Sequence, residues 1–166
     1  MKASNFRIGM ISLLIGCLLA SVVTYWELNP IMLYVDELTA LPLSELFISW
    51  ICKVLAISML SSSIFLVSAQ LKRNKENRIK RTAGENAGYL FEALSIPVII
   101  LTAYGVLPSW LLIGFGIFIV CIGAFHFCRV KNKTGVSFLL WGSGLIVLEI
   151  ALFLSFQSEM RWIDMP

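Results

Sequence analysis

Four ionisable side chains lie within long apolar stretches of the sequence: Lys53, Glu92, His126 and Glu149. Ionisable groups are costly inside a membrane, so each is a candidate functional residue. Lys53 and Glu149 lie at similar depths in their stretches, and this match predicts an ion pair. The pair is interpreted either as a strut between two helices or as part of a gated or proton-coupled path. A third alternative is that they never meet and Lys53 extends to the lipid headgroups.

Glu92 and His126 form the second predicted pair, because both lie towards the same end of their stretches. A contact between them could relay protons, since histidine titrates near physiological pH. The alternative is a plain hydrogen bond at the membrane interface. No metal site is predicted, because Cys121 and Cys128 lie five and two residues from His126 and share no helical face with it. With a single histidine in the chain, no haem or other cofactor is expected either.

The residue patterns of the common membrane enzymes are missing from the sequence. It has no paired cysteines for thiol chemistry, no HExxH and no pair of intramembrane aspartates. The four cysteines are interpreted as small apolar residues within helices. We therefore expect a protein that is not an enzyme.

The composition predicts a membrane protein. Hydrophobic residues make up 58% of the 166 residues and charged residues only 14%, against about 45–50% and about 25% in ordinary soluble domains. A chain of this size cannot bury that excess in one soluble core. We therefore expect an all-α, polytopic integral membrane protein with no soluble domain.

The apolar stretches predict five transmembrane helices. A span needs about 20 apolar residues, and the run from 89 to 128 is long enough for two, divided near Gly105 and Pro108. The predicted spans are 6–26, 47–69, 88–106, 109–128 and 136–156. A four-span alternative arises if the third stretch, interrupted by Glu92 and Pro97, does not cross the membrane.

The distribution of cations predicts the orientation. With five alternating spans, eleven Lys and Arg residues fall on one side and only Arg161 on the other. Such a bias marks the cytoplasmic side, and it also favours five spans over four. We therefore expect a bacterial inner-membrane protein with its N-terminus in the cytoplasm and its C-terminus outside. The outer loop 27–46 is predicted to lie on the membrane surface, with an amphipathic helix near 31–40.

The predicted cytoplasmic loop 70–87 is strongly basic. Its cations are Lys72, Arg73, Lys75, Arg78, Lys80 and Arg81. Topology and contact with anionic lipid headgroups account for most of this charge. Nucleic-acid binding is not predicted, because no aromatic residue between 71 and 88 could stack on bases. A cytosolic protein partner is the remaining interpretation, and Asn86 is a candidate cap for the helix that follows.

Small residues recur along three of the predicted spans and favour close helix packing. They are Ser12, Gly16 and Ala20, then Gly116 and Gly123, then Gly142 and Gly144. Such stripes serve internal packing or a homo-oligomer equally well. The serines of segment 58–63 are expected either to bond neighbouring helices or to line a pore.

The leading functional hypothesis is a non-enzymatic membrane subunit. It would form a homo-oligomer and dock or regulate a cytosolic partner through the basic loop, as in a membrane arm of a bacterial defence, immunity or stress system. The alternative is a small transporter or channel that uses Lys53, Glu149 and Glu92. Transport should collapse when either glutamate becomes glutamine, whereas assembly should survive Glu92→Gln.

Overall fold

The chain folds into five long α-helices in a computed structural model. The described backbone covers 2–34, 43–76, 82–103, 106–108, 110–130 and 133–163, and side chains are described within 7–26, 47–72, 82–103, 106–108, 110–128 and 134–155. The helices are α1 (Lys2–Tyr34), α2 (Leu43–Glu76), α3 (Ala83–Ala103), α4 (Trp110–Val130) and α5 (Lys133–Ile163). The predicted all-α architecture is confirmed for these residues.

Each of the five helices is long and apolar enough to cross a membrane. The candidate spans are Arg7–Trp26, Phe47–Lys72, Ala83–Ala103, Trp110–Cys128 and Thr134–Ser155. The shortest has 19 residues, which at about 1.5 Å per residue matches a hydrocarbon core of about 30 Å. The helix α3 continues through Pro97, as membrane helices can when neighbours satisfy the freed carbonyl. These helices therefore support five spans rather than four.

The helix α5 lies at the centre of the bundle. It packs extensively against α2 on one side and α4 on the other, and α3 packs on α4 with a smaller contact to α5. The helix α1 packs on α2 at one edge. The spatial order is therefore α1, α2, α5, α4 and α3, with α3 folded back towards α5.

Glycines allow α4 and α5 to approach closely. A Cβ atom at Gly116 would lie 2.8 Å from the Gly142 carbonyl oxygen, and one at Gly142 would lie 2.6 Å from the Gly116 carbonyl oxygen. Gly123 contacts the backbone of Gly135 in the same way, seven residues or about two helical turns further along α4. Larger residues at these positions would push the two helices apart.

The remaining small residues also pack within the chain. Ser12, Gly16 and Ala20 are buried on one stripe of α1, and Gly16 lies against Val54 and Ser58 of α2. Gly144 of α5 lies against Leu60 of α2. The small-residue stripes that also suggested a homo-oligomer are thus covered by this chain's own helices.

The apolar core lies between α4 and α5, and the outer surface is also apolar. The fully or nearly fully buried core residues are Leu112, Ile119, Phe138, Trp141 and Leu145. Large apolar side chains such as Leu14, Leu18 and Val22 are exposed on α1. An outer surface of this kind is expected to face lipid rather than water.

Several helices extend beyond the span boundaries predicted from hydropathy. The helix α1 continues to Tyr34, so only 35–42 of the predicted outer loop lies between α1 and α2, outside the described residues. Likewise α2 continues to Glu76 and α3 begins at Ala83, so only 77–82 of the predicted basic loop 70–87 lies between the two helices, and 77–81 is outside the described residues. Lys, Arg, Gln and Glu favour helix, so polarity ends an apolar stretch without ending the helix.

The helix α3 begins with a capping box rather than at Asn86. The Thr82 backbone N–H donates to Glu85 Oε2 (3.1 Å), and the Glu85 backbone N–H donates to Thr82 Oγ1 (3.2 Å). This reciprocal pair satisfies two backbone donors at the helix start. The backbone N–H of Asn86 donates to the Thr82 carbonyl (3.1 Å), so Asn86 lies inside the helix and its predicted capping role is wrong.

Candidate functional site

A groove lies between α2 and α3, with α5 as its floor. Its volume is about 270 Å³, and it is partly open at the surface of the bundle. Its lining residues are Ser63, Ile64, Val67, Ser68 and Leu71 of α2, Tyr89, Glu92, Ala93 and Ile96 of α3, and Trp141 of α5. The walls are mainly apolar with a few convergent polar groups, which is the usual character of a ligand site.

The carboxyl group of Glu92 is the most strongly polar group in this groove. Glu92 is only 8% exposed, and its Oε1 atom lies 3.4 Å from Ser63 Oγ. The Ser63 hydroxyl also lies 2.9 Å from the Ser137 carbonyl oxygen and 3.0 Å from Ser137 Oγ. One hydroxyl proton cannot serve all three acceptors, and the carbonyl oxygen is closest. The carboxyl therefore keeps acceptor capacity for another donor.

Ser95 and Trp141 hold α3 against α5 beside this carboxyl. The Trp141 Nε1–H donates to Ser95 Oγ (2.8 Å), and the Ser95 hydroxyl donates to the Glu92 carbonyl oxygen (2.7 Å). Both side chains are buried. The indole is therefore fixed by a hydrogen bond where it forms part of the groove wall, and the position of Glu92 depends on this link.

Two other serines of segment 58–63, Ser58 and Ser61, donate hydrogen bonds within α2 itself. Ser58 Oγ donates to the Val54 carbonyl oxygen (2.6 Å) and Ser61 Oγ to the Ser58 carbonyl oxygen (3.1 Å). Such bonds to the preceding turn satisfy the hydroxyl within its own helix. Ser63 differs because its hydroxyl reaches both α3 and α5.

One end of the groove lies beside the basic segment. The α2 lining runs from Ser63 to Leu71, about 12 Å along the helix, and Lys72 follows as an exposed residue. Arg73 and Lys75 continue the backbone of α2. The side chains of Arg73 and Lys75, and the residues Arg78, Lys80 and Arg81 as a whole, lie outside the described part of the chain.

Lys53 and Glu149 fall at the same level of the bundle. The hydrogen bonds between Ser49 and Ser155 (2.9 Å) and between Ser63 and Ser137 (3.0 Å) fix an antiparallel register of α2 and α5. In that register Lys53 lies level with Glu149, and both are buried, at 3% and 5% exposure. The Oε2 atom of Glu149 has no hydrogen-bond partner. The ion pair itself stays a prediction.

Glu92 and His126 lie at different levels. A Cβ atom at Gly84 would lie 2.6 Å from His126 Nε2, so the imidazole packs on the first turn of α3. The His126 ring also meets Phe138 edge-on, with centroids 6.2 Å apart. Glu92 lies about two helical turns further along α3. His126 therefore lies level with Glu85, a buried acid one residue after Gly84. Hydropathy alone did not identify Glu85.

The four cysteines are free thiols. Cys121 and Cys128 are exposed on α4, whereas Cys17 and Cys52 are half-buried. Among the described residues, no group of three or more His, Cys, Asp and Glu side chains is placed to hold a metal ion. Within the groove, Glu92 and the serines can supply hydrogen bonds and charge.

No protein-family model, curated protein or solved structure matches this chain. The groove and its polar network thus carry the functional argument. Sequence reasoning identified Glu92 and the serine segment, but it missed Ser95, Ser137 and Trp141. Uncharged polar residues such as serine and tryptophan are common in apolar helices. Their role becomes visible only when the packing of the helices is known.

Proposed function

We propose that the chain is a non-enzymatic, multi-pass membrane protein that binds a membrane-dissolved amphiphile in the groove between α2 and α3. The amphiphile carries a hydrogen-bond donor, an amine or a hydroxyl, that contacts Glu92. The observation that carries this proposal is a buried carboxyl in an apolar groove that is partly open at the surface of the bundle.

The size of the groove supports a single slender ligand. An α-helix with its side chains is about 10–12 Å across, and a cavity of about 270 Å³ holds less than one turn of such a cylinder. It lies just below the range of about 300–1,000 Å³ typical of small-molecule pockets. One chain or ring of an amphiphile fits, whereas a partner helix does not.

The polar groups of the groove support a donor-bearing ligand. A carboxylate accepts up to about four hydrogen bonds, and the nearby serines supply fewer. An ammonium or hydroxyl group would complete this shell, and the Trp141 indole would favour a cation nearby. An anionic headgroup beside Glu92 would instead be repelled.

The continuity of α2 supports a connection between the groove and the basic segment. The same helix lines the groove at Ser63 and ends at Glu76, so a ligand that displaces α2 also moves Lys72, Arg73 and Lys75. In the proposed orientation these cations face the cytoplasm of a bacterium. The protein would then act as a regulatory subunit that reports the ligand to a cytosolic partner or to anionic lipid.

The proposal requires only one copy of the chain. All groove residues come from α2, α3 and α5 of the same molecule, and the small-residue stripes are used internally. The transporter alternative has less support, because Glu92 and Glu149 lie at different levels of the bundle.

The test compares long-chain amphiphiles of equal length that differ in headgroup. A photoreactive primary amine and alcohol are added to the purified protein in detergent, beside the matching carboxylic acid. Crosslinks from the amine and alcohol should map to α2 and α3 of the groove, and the acid should crosslink weakly. Glu92→Gln should reduce amine affinity by roughly 10- to 100-fold, since a charged hydrogen bond contributes about 1.5–3 kcal/mol.

Ser58→Ala serves as the control variant, because Ser58 lies on α2 but bonds within its own helix. It should bind the amine like the wild type. Equal labelling by all three headgroups, or full retention of amine affinity in Glu92→Gln, would show that the carboxyl does not select the ligand.

A further inference from the structure

Two buried polar atoms without partners lie at the end of the bundle opposite the basic segment. Thr102 is 9% exposed and Glu149 is 5% exposed. Thr102 Oγ1 and Glu149 Oε2 have no hydrogen-bond partner. Most buried polar groups in folded proteins are paired, so two unpaired oxygen atoms require an explanation.

The two side chains belong to the same level of α3 and α5. The hydrogen bond from Trp141 to Ser95 joins residues 46 positions apart, and these helices run in the same direction. Thr102 continues the buried stripe of α3 about two turns beyond Ser95, and Glu149 lies about two turns beyond Trp141. Thr102 and Glu149 are 47 positions apart in the sequence, close to the 46 positions between Ser95 and Trp141, so the two side chains lie at one level.

The surroundings of this pair are electronegative. The helix α3 ends at Ala103, so its last carbonyl groups point to this level and carry the negative end of the helix dipole. The Leu101 carbonyl oxygen already accepts from the backbone of Val106 (2.9 Å) and Leu107 (3.3 Å). The Glu149 carboxyl adds its own charge, and an anion is therefore excluded.

We propose that Thr102 and Glu149 form a site for an alkali-metal ion. Glu149 Oε2 lies buried without a hydrogen-bond partner, and binding of a positive charge would offset the cost of burying it. Carboxylate, hydroxyl and carbonyl oxygens are the ligands that hard cations prefer. This site is separate from the groove and does not depend on the proposed amphiphile.

The charged and polar neighbours of Glu149 define the competing explanation. Lys53 of α2 lies at the same level, and its ammonium group would neutralise the carboxylate without any added ion. The contacts of Gly116 with Gly142 and of Gly123 with Gly135 place Glu149 level with the start of α4, where Leu112 is fully buried and apolar. The test must therefore separate an external cation from Lys53.

The first measurement is thermal unfolding of the full chain in detergent at constant ionic strength. Sodium, potassium and choline chlorides are compared, because choline is too large for the site. An alkali-metal site predicts a melting temperature a few degrees higher in sodium or potassium than in choline at about ten times Kd. Thr102→Val, which keeps the side-chain shape, should remove most of this rise.

The second measurement is labelling of the wild type with dicyclohexylcarbodiimide, which modifies protonated carboxyl groups in apolar surroundings. The proposed site predicts that sodium or potassium protects Glu149 from the reagent and that choline does not. Thr102→Val should weaken this protection.

Labelling of Glu92 shows that the reagent enters the bundle, so the result does not depend on whether Glu149→Gln folds. The proposal is overturned if alkali-metal ions neither stabilise the protein nor protect Glu149 from the reagent. It is also overturned if Thr102→Val changes neither readout. The first of those results would assign the neutralisation to Lys53.

Discussion

Ser63 of α2 and Ser137 of α5 lie with their hydroxyl oxygens 3.0 Å apart, and Ser63 is one of the residues that line the groove. Glu92 of α3 joins them through its contact with Ser63. Three helices thus meet in one polar network inside an apolar bundle. Such a network orients the helices, and it places the carboxyl in the groove to which we assign the ligand.

Replacing Ser63 by alanine tests this network. The Ser63 hydroxyl reaches Ser137 and Glu92, and interhelical hydrogen bonds in membranes contribute roughly 0.6–1.7 kcal/mol. Ser63→Ala should lower the free energy of unfolding by about 1 kcal/mol in reversible denaturation in mixed micelles. Ser58→Ala, whose hydroxyl bonds within α2, should change it less. Equal losses in both variants would show that Ser63 has no special role.

Filling the groove should abolish ligand binding without unfolding the protein. Ala93 lines the groove and is exposed, so Ala93→Phe places a ring where the amphiphile would lie. Amine crosslinking should fall at least tenfold while the helical circular dichroism stays unchanged. The matched control is Ala124→Phe, at an exposed position on α4, which should bind normally. Unchanged binding in Ala93→Phe would place the ligand elsewhere.

The contact between Gly116 and Gly142 predicts a sharp difference between two glycines of α4. A Cβ atom at Gly116 would lie 2.8 Å from the Gly142 carbonyl oxygen, whereas Gly114 has nothing within 4 Å. Overpacking typically costs about 1–3 kcal/mol, so Gly116→Ala should lower the melting temperature. Gly114→Ala should be neutral or stabilising, since alanine favours helix by about 1 kcal/mol. The two melting curves, measured side by side in detergent, decide the point.

The all-helical architecture could be predicted from the sequence because its long apolar stretches are typical of membrane spans. Long apolar stretches required helices, since only helices satisfy their own backbone groups in lipid. The ends of those helices were less predictable. The continuation of α2 to Glu76 depends on helix propensity rather than hydropathy. The same limit applies at the start of α3, where the cap turned out to be Thr82.

The candidate site could be predicted only in part, because depth along a helix does not give the direction of a side chain. Glu92 stood out as an acid in an apolar stretch, but its contact with Ser63 depends on which faces of α2 and α3 meet. His126 was paired with it by depth, yet packs against Gly84. Predicting such contacts requires knowing which helices are neighbours. That order cannot be read from five apolar stretches of similar composition.

The capping box of α3 predicts unequal effects of two neighbouring polar residues. Thr82 accepts a hydrogen bond from the Glu85 backbone N–H, and loss of such a cap costs about 1 kcal/mol. Thr82→Ala should therefore destabilise the protein and increase hydrogen exchange in the first turn of α3. Asn86→Ala should be neutral or slightly stabilising, because the position is inside the helix. A larger loss in Asn86→Ala would contradict the cap assignment.

The basic segment predicts a partner that is lost when its charge is removed. The prediction is tested by changing Lys72, Arg73 and Lys75 to glutamine, which keeps helix propensity and removes three charges from the end of α2. If a cytosolic protein docks there, a mild-detergent pulldown and native mass should show a stoichiometric partner with the wild type and none with the variant.

The control for this prediction must separate docking from topology and from lipid contact. Accessibility of an added cysteine near Lys72 should confirm that the variant keeps the wild-type orientation, because cations also set topology. Flotation with vesicles of anionic and neutral lipid measures the alternative, for which each cation near the surface contributes about 1 kcal/mol. A complex of unchanged mass in the variant, together with weaker attraction to anionic vesicles, would assign the segment to lipid rather than to a protein partner. The groove would then report its ligand through the position of α2 at the membrane surface.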